Sequence, residues 1–206
     1  MVISKCIIPG KDHMDSEMSE KDRYLVEAEH WVDEHAEVLF RYAYMRVGDS
    51  NVAEDLVQET FLASLQSHKN FQRQSSVRTW LISILQHKIT EFFRKSQQNA
   101  VIVSDKNPSE KDFFEKGKWK AIPARWSANP EEEASKKEFW HKFINCIRLL
   151  SPALADAFIL KELKIIPSNE ICDQLNISNT GLWSRLHRAR LSLRRCLEKT
   201  WFSKLK

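Results

Sequence analysis

Glycine and proline are scarce in this 206-residue chain, at 4 and 6 residues. These residues mark most tight turns and interrupt helices, so their scarcity leaves room for long helices. Apolar residues recur at spacings of three and four along most of the chain, which is the period of a helix with one buried face. The sequence therefore predicts an all-α protein, and strands have little support.

Long apolar runs are absent as well. No run approaches the roughly 20 residues that span a bilayer, and the apolar stretch within residues 1–9 is too short for a secretory signal peptide. With 42% hydrophobic and 29% charged residues, the composition is typical of a globular protein in water. We therefore expect a cytoplasmic location without membrane insertion.

Cysteine pairs at metal-ligand spacing are also lacking. The chain has four cysteines, they are far apart, and no C-x-x-C pair occurs. Three of them fall within apolar helical patterns, where cysteine packs as a small hydrophobe. We expect all of them to be reduced and structural: Cys6, Cys146, Cys172 and Cys196.

Catalytic motifs are missing too. His30, Glu34 and His35 resemble a zinc-binding helix only faintly, because the H-E-x-x-H pattern needs histidines at i and i+4 and these are at i and i+5. No glycine-rich phosphate loop or nucleophile constellation occurs. We therefore expect no enzyme, and no metal, cofactor or small-molecule substrate.

The apolar periodicity divides the chain into four parts. Residues 1–23 are largely polar and predict a disordered tail. Residues 24–96 predict a bundle of helices with short joins, and residues 136–206 predict a second helical domain. Residues 97–135 lose the periodicity, contain three prolines and predict a flexible linker. Part of this linker is expected to pack on the protein, because it is rich in aromatic residues: Phe113, Phe114, Trp119 and Trp126.

Three helices are predicted in the first domain. The first stops at Gly48, and Asp49 to Asn51 supply caps for a second that runs to about Ser67. A third follows the polar loop that ends at Ser76. The inward faces of the first and third helices are predicted to be Val32, Ala36, Leu39, Ala43 and Val47, and Val77, Leu81, Leu85, Ile89 and Phe92.

The second domain has the spacing of a helix-turn-helix. Ser151 and Pro152 begin a helix through Leu163, and Ser168 is expected to cap a short helix through Leu175. A tight break at residues 176–178 precedes the long final helix. In a helix-turn-helix, the second helix of the motif enters a DNA major groove.

The final helix has one apolar stripe and one basic face. The stripe, which must be buried, is Leu182, Leu186, Ala189, Leu193 and Leu197. The residues opposite it near the amino end are predicted to reach base edges: Trp183, Ser184, His187 and Arg188. The arginines beside the stripe suit phosphate contacts or ion pairs: Arg185, Arg190, Arg194 and Arg195.

Positive charge is concentrated in this part of the chain. Residues 181–206 contain eight Lys or Arg and one Glu, a balance of +7, whereas the whole chain is only +4. The first 180 residues therefore carry −3. A local cationic helix in a helix-turn-helix frame favours binding to DNA phosphates over an ordinary solvated face.

Three segments, in order, resemble a known family. AEDLVQETF (53–61), WLISILQHKITEFFRK (80–95) and LNISNTGLWSRLHRAR (175–190) are similar to the polymerase-binding, minus-ten and minus-thirty-five segments of bacterial extracytoplasmic-function sigma factors. The resemblance implies two small all-α domains, sigma region 2 as a three- to four-helix bundle and sigma region 4 as the helix-turn-helix. It leaves the amino-terminal tail and the linker uncovered.

The resemblance also implies where the partners bind. Asp55, Gln58 and Glu59 share one helix face at i, i+3 and i+4, and in the family this helix docks on the coiled coil of the polymerase beta-prime clamp. The minus-ten candidates lie on the third helix: Gln86, His87, Lys88, Glu91, Arg94 and Lys95. Gln86 and His87 stand where the family often has arginine and asparagine, and Gly181 and Trp183 replace its usual threonine and basic residue, so the resemblance predicts no promoter sequence.

The expected function is promoter-specific initiation of transcription by core RNA polymerase. The expected partners are the beta-prime and beta subunits of the polymerase and promoter DNA, and an anti-sigma factor is a further candidate. The alternative is a stand-alone helix-turn-helix regulator whose first domain senses a ligand or dimerises. A sensing bundle has no reason to carry the DLVQETF face, which favours the sigma factor.

Overall fold

A computed structural model of the chain describes residues 20–68, 71, 75–96, 114, 115, 118, 119 and 137–202. Within these residues seven helices form two groups. The amino-terminal bundle consists of α1 (Glu20–Val47), α2 (Ser50–Ser67) and α3 (Val77–Ser96). The carboxy-terminal bundle consists of α4 (Lys137–Arg148), α5 (Pro152–Glu162), α6 (Ser168–Gln174) and α7 (Asn179–Thr200). The all-α prediction with two helical domains is confirmed.

The break between α1 and α2 follows from two residues. Gly48 adopts a φ of +75°, which glycine reaches without the steric cost that a side chain would bring. Asp49 then acts as the N-cap of α2, and its carboxylate accepts a hydrogen bond from the Val52 amide at 3.1 Å. The predicted stop and cap are confirmed.

The core of the amino-terminal bundle differs from the predicted stripe on α1. Leu39, Ala43 and Val47 are buried as expected, but Val32 is 42% exposed and Ala36 is only half-buried. Between residues 30 and 38, the buried positions on the helix are instead Trp31 and His35. The stripe prediction was wrong at its amino end because Val32 and Ala36 face an open groove beside α2.

The carboxy-terminal bundle confirms the leucine stripe of the last helix, since all five of its predicted residues are buried. Ser178 caps α7, and its hydroxyl accepts a hydrogen bond from the Gly181 amide at 3.0 Å. The turn before it has Asn176 at a φ of +48°, a left-handed conformation that asparagine tolerates better than most residues. Together these residues fix the angle at which α7 leaves α6.

Two further predictions for this bundle are corrected. The N-cap of α6 is Pro167, while Ser168 is the first helical residue and its hydroxyl accepts a hydrogen bond from Lys161 Nζ at 2.6 Å. Cys146 and Cys196 form a disulfide between α4 and α7, with Cα atoms 5.8 Å apart, so they are not reduced. Sequence spacing did not reveal this pair because the two residues are 50 positions apart. Cys172 is a free thiol, and Cys6 lies outside the described residues.

The two bundles pack against each other through one continuous cluster of buried apolar residues. The packing is close where α1 ends, because a Cβ on Gly48 would come within 3.0 Å of the Arg148 side chain. Leu39 and Tyr42 of α1 belong to the same cluster as Ile147 and Ile159 of the other bundle. The predicted domains are therefore in direct contact in this structure.

The segment between the bundles contains a short antiparallel pair, β1 (Phe114–Glu115) and β2 (Lys118–Trp119), with Phe114 opposite Trp119. The other two predicted linker aromatics, Phe113 and Trp126, lie outside the described residues. In the part of the chain that the structure describes, no helix is long and apolar enough to cross a membrane.

Candidate nucleic-acid interface

The amino-terminal half of α7 presents the predicted base-reading residues at the surface. Trp183 is 51% exposed, and Ser184 and His187 are exposed as well. Lys161 of α5 places its ammonium 5.6 Å from the centre of the Trp183 ring, within the range of a cation–π contact. This arrangement leaves an aromatic face and a positive charge together at the tip of the helix-turn-helix.

The arginines of α7 are held in different ways. Arg188 is half-buried, and its Nε donates to the Ser184 carbonyl across 3.4 Å, a long hydrogen bond that is easily given up. Arg190 pairs with Glu162 of α5 at 2.6 Å, and Arg194 pairs with Glu198 at 3.0 Å. Arg190 therefore has a structural partner as well as its predicted phosphate role.

The minus-ten candidates on α3 are divided between surface and interior. His87, Arg94 and Lys95 are exposed. Lys95 pairs with Glu91 at 2.9 Å, and this ion pair lowers the pKa of the Glu91 carboxyl. The Lys88 ammonium reaches Glu59 of α2 at 3.2 Å, so one ion pair joins the predicted minus-ten helix to the predicted polymerase face.

Gln86 differs from the other minus-ten candidates because it is engaged inside the protein. Its amide nitrogen donates to the Tyr42 hydroxyl at 3.0 Å, and its amide oxygen accepts from Gln174 of the other bundle at 2.8 Å. In this conformation both the nitrogen and the oxygen of the Gln86 amide are already hydrogen-bonded within the protein. Sequence analysis placed Gln86 on the third helix, where the structure also has it, but gave no sign of these partners.

The predicted polymerase face of α2 is open. Asp55, Gln58 and Glu59 are all exposed on one side of the helix. Beside them lies an apolar groove of about 430 Å³ between α1 and α2. Its lining is Val32, Ala36, Glu37, Phe40, Glu54, Val57, Gln58 and Phe61. The period of Val32, Ala36 and Phe40 signalled this groove, although sequence reasoning interpreted the first two as core.

A buried polar cluster at the contact between the bundles escaped sequence analysis altogether. The Tyr42 hydroxyl donates to Asp156 Oδ1 at 2.7 Å, and Arg46 Nε lies 3.0 Å from the same oxygen. Burial raises the pKa of Asp156, although the positive charge of Arg46 opposes this rise. The positive charge of Arg185 on α7 also opposes this rise in the pKa of Asp156, though it is the smallest of the causes. Burial and the negative charge of Asp156 together raise the pKa of Tyr42 well above its usual value.

The two histidines in the middle of α1 lie on either side of one carboxylate. His30 Nε2 is 3.5 Å and His35 Nε2 is 3.9 Å from Glu34 Oε2. Among the described residues, no group of three or more His, Cys, Asp or Glu side chains is placed to hold a metal ion. His35 is buried, and that burial lowers its pKa.

Family models match the two bundles separately. Residues 31–99 match sigma-70 region 2, and residues 140–193 match sigma-70 region 4. The first match contains the α2 face and all of α3, and the second contains the helix-turn-helix.

Individual relatives agree with these matches. A probable RNA polymerase sigma factor of Haemophilus influenzae is 35% identical over 164 residues, which cover 78% of this chain and 84% of that protein. The RNA polymerase sigma factor YlaC of Bacillus subtilis is 25% identical, with 79% of this chain and 87% of that protein covered.

Solved structures show the same fold at lower identity. The sigma factor RpoE of Bartonella quintana, solved in complex with the anti-sigma factor NepR, has a TM-score of 0.58 at 20% identity and covers 84% of this chain and 98% of its own. CnrH, solved with the cytosolic domain of CnrY, has a TM-score of 0.59 at 17% identity and covers 85% of this chain and 90% of its own. With a helix-turn-helix that presents a basic face and an exposed DLVQETF helix, the chain belongs to the sigma-70 family of RNA polymerase sigma factors, in its extracytoplasmic-function group.

Proposed function

We propose that this sigma factor directs core RNA polymerase to promoters through three surfaces. Two of them belong to a domain of residues 24–96 and the third to a domain of residues 136–206, and residues 97–135 link the two domains. The first bundle binds polymerase with α2 and the minus-ten element with α3, and the second binds the minus-thirty-five element with α7. Polymerase supplies the chemistry in the cytoplasm, and this chain contributes binding energy and position. The observation that carries the proposal is the open carboxylate and amide face of α2 beside an apolar groove.

The α2 face suits a basic partner helix. Asp55 and Glu59 present carboxylates, and Gln58 presents an amide, all exposed on the same side. Carboxylates accept strong hydrogen bonds from arginine, often two at once, and the neighbouring groove provides apolar surface at the same place. A helix of the polymerase beta-prime clamp that carries arginines and apolar residues fits this combination.

The α7 surface suits duplex DNA. Trp183, Ser184 and His187 are positioned at the exposed amino end of the helix, where they can meet base edges in the major groove. A tryptophan in this place contacts bases through stacking or through the thymine methyl group, whereas Arg188 can donate to guanine. Arg185 and Arg190 flank the helix and suit the phosphates.

The α3 surface suits single-stranded DNA, that is, a promoter strand whose base pairs have been opened. His87 and Lys88 provide a flat polar ring and a positive charge, and Arg94 with Lys95 extends the basic track towards the end of the helix. Unstacked bases need replacement contacts with rings and polar edges, while the phosphate backbone follows cationic side chains. Glu91 forms an ion pair with Lys95 and so partly neutralises the positive charge at that position.

An anti-sigma factor is a further proposed partner. One structural relative, the sigma factor RpoE, was solved in complex with the anti-sigma factor NepR. The apolar groove between α1 and α2 offers an anti-sigma helix the same place that polymerase would use, so the two would compete. No observation favours the alternative of a stand-alone regulator.

The test is transcription in vitro from genomic DNA fragments by core polymerase, with wild-type protein and with the double variant Asp55→Ala, Glu59→Ala. Wild type should yield discrete new starts, and the double variant should lose them together with holoenzyme formation while its helical content is unchanged. The control is Glu138→Ala, Asp173→Ala, which removes two exposed carboxylates from the other bundle. Normal holoenzyme yield with the first variant would overturn the proposed polymerase face.

The same assay separates the two functional classes. A sigma factor produces starts only when core polymerase is present. Tight operator binding by the protein alone, without any starts, would instead support the stand-alone regulator.

A further inference from the structure

A continuous chain of polar contacts crosses from one bundle to the other. It begins at Arg46, whose Nε lies 3.0 Å from Asp156 Oδ1, and continues through the Tyr42 hydroxyl, which donates to that oxygen at 2.7 Å. Gln86 donates to the Tyr42 hydroxyl at 3.0 Å, and Gln174 donates to Gln86 at 2.8 Å. These five residues, called the interbundle latch below, come from α1, α3, α5 and α6.

Three of the five latch residues are largely withdrawn from water. Tyr42 is fully buried, and the side chains of Arg46 and Asp156 are only 7% and 17% exposed. A buried charge is tolerated when its counter-charge remains beside it, and it is costly when the counter-charge is removed. While the bundles are packed together, the Asp156 carboxylate therefore compensates the buried positive charge of Arg46. Separation of the bundles would expose both charged groups to water.

Further contacts hold the same conformation at the two ends of the interface. Glu170 of α6 accepts a hydrogen bond from the Ser76 hydroxyl at 2.9 Å and another from the Thr79 hydroxyl, both at the start of α3. At the other end, Gly48 leaves room for Arg148, where a Cβ would come within 3.0 Å of it. The contact thus extends well beyond one polar cluster.

This closed conformation cannot read both promoter elements at once. Elements centred near positions minus ten and minus thirty-five are separated by about 25 base pairs, or ~85 Å of duplex at a rise of 3.4 Å per base pair. The predicted minus-ten helix is instead in hydrogen-bond contact with α6, the first helix of the helix-turn-helix, through Gln86 and Gln174 at 2.8 Å. The bundles must separate before the promoter can be engaged.

We propose that the interbundle latch makes the free protein self-inhibiting, with the surface of Tyr42, Arg46 and Gln86 occupied by α5 and α6 of the same chain. Polymerase and promoter bind the open form, so the closed form reduces their apparent affinity by the fraction of molecules that are open. Loosening the latch should therefore strengthen polymerase binding. The consequence for transcription rests on the proposed function, whereas the closed conformation itself does not.

The experiment compares the full-length wild type with Asp156→Asn, which keeps the shape of the side chain but removes the charge that Arg46 needs. Small-angle X-ray scattering measures the radius of gyration of each free protein, and titration with core polymerase measures affinity. The variant should have a larger radius of gyration and bind polymerase about tenfold more tightly, because the fraction of open molecules rises. A purely structural role for Asp156 would weaken polymerase binding instead.

Glu198→Gln is the matched control, since it removes the carboxylate of a partly buried ion pair that lies within α7 alone. Its radius of gyration and polymerase affinity should equal those of the wild type. If Asp156→Asn loses helical content, Gln174→Ala replaces it, and expansion of that variant is expected. An unchanged radius of gyration in a folded latch variant would overturn the proposal.

The two proposals fail in different ways. A wild-type protein that drives transcription but is already extended in solution overturns the latch and leaves the sigma function standing. A compact wild type that expands in Asp156→Asn but gives no polymerase-dependent starts supports the latch and overturns the proposed function.

Discussion

The two helices proposed to contact DNA differ in what their polar side chains face. On α7, Trp183, Ser184 and His187 are exposed, and the opposite stripe is buried in its own bundle. On α3, Gln86 is bound to residues of both bundles, although its neighbour His87 is exposed. A helix with one interior and one exterior face is readable from its periodicity. A helix shared between two bundles has a third face, and periodicity does not reveal it.

Truncation of a residue in the buried stripe of α7 should have the largest effect on stability. Leu186 is fully buried, so Leu186→Ala leaves a cavity and should lower the free energy of unfolding by about 2–5 kcal/mol. The exposed amino end of the helix should lose its fixed position at the same time. Chemical denaturation monitored by circular dichroism measures the effect.

Leu149→Ala is the matched control for that variant. Leu149 is in the same bundle but is 69% exposed, so its truncation should change the free energy of unfolding by less than about 0.5 kcal/mol. Equal losses in the two variants would contradict the assignment of Leu186 to the core.

Substitution of one residue on each helix should separate contact with DNA from contact between the bundles. Arg188→Ala should weaken recognition at the minus-thirty-five element by about 1–3 kcal/mol if Arg188 reads a base, without changing the radius of gyration of the free protein. Gln86→Ala removes contacts from the interbundle latch, so it should expand the free protein as well as alter minus-ten use. Transcription from promoters mutated at single positions, combined with scattering, separates the two effects. Undiminished promoter use by Arg188→Ala would remove Arg188 from the interface.

How much was predictable depends on how far apart the interacting residues are in sequence. The cap at Asp49, the tight break at residues 176–178 and the leucine stripe of α7 each depend on neighbours within a few turns, and all were predicted. The Cys146–Cys196 disulfide spans 50 residues, and the hydrogen bond between Tyr42 and Asp156 spans 114. Contacts of this kind depend on how elements pack, which a single sequence does not show.

The exposed part of the proposed site follows the same rule. Asp55, Gln58 and Glu59 share a face because of helical geometry alone, and the structure leaves that face open. The groove beside them needs α1 as its second wall, so sequence analysis assigned Val32 and Ala36 to the core. Both the error at Val32 and the missed role of Gln86 therefore arise from packing between helices, which the pattern of one helix does not show.

The smallest predicted effect concerns the amino-terminal bundle, where burial lowers the pKa of His35 despite the opposing charge of Glu34. The unfolded chain binds a proton at this residue more readily than the folded chain does. His35 therefore favours folding above its ordinary pKa of about 6.5, and this contribution is lost as the pH falls through the folded-state pKa.

Urea denaturation at pH 7.5 and at pH 5.5, values chosen around that pKa of about 6.5, measures the free energy of unfolding. This free energy should depend less on pH in His35→Gln than in the wild type. The exposed His141→Gln should keep the wild-type dependence. Because Asp156 and the other carboxyl groups are common to all three proteins, their titration cancels in the difference, and equal pH dependence in wild type and His35→Gln would show that His35 is not buried as an uncharged ring.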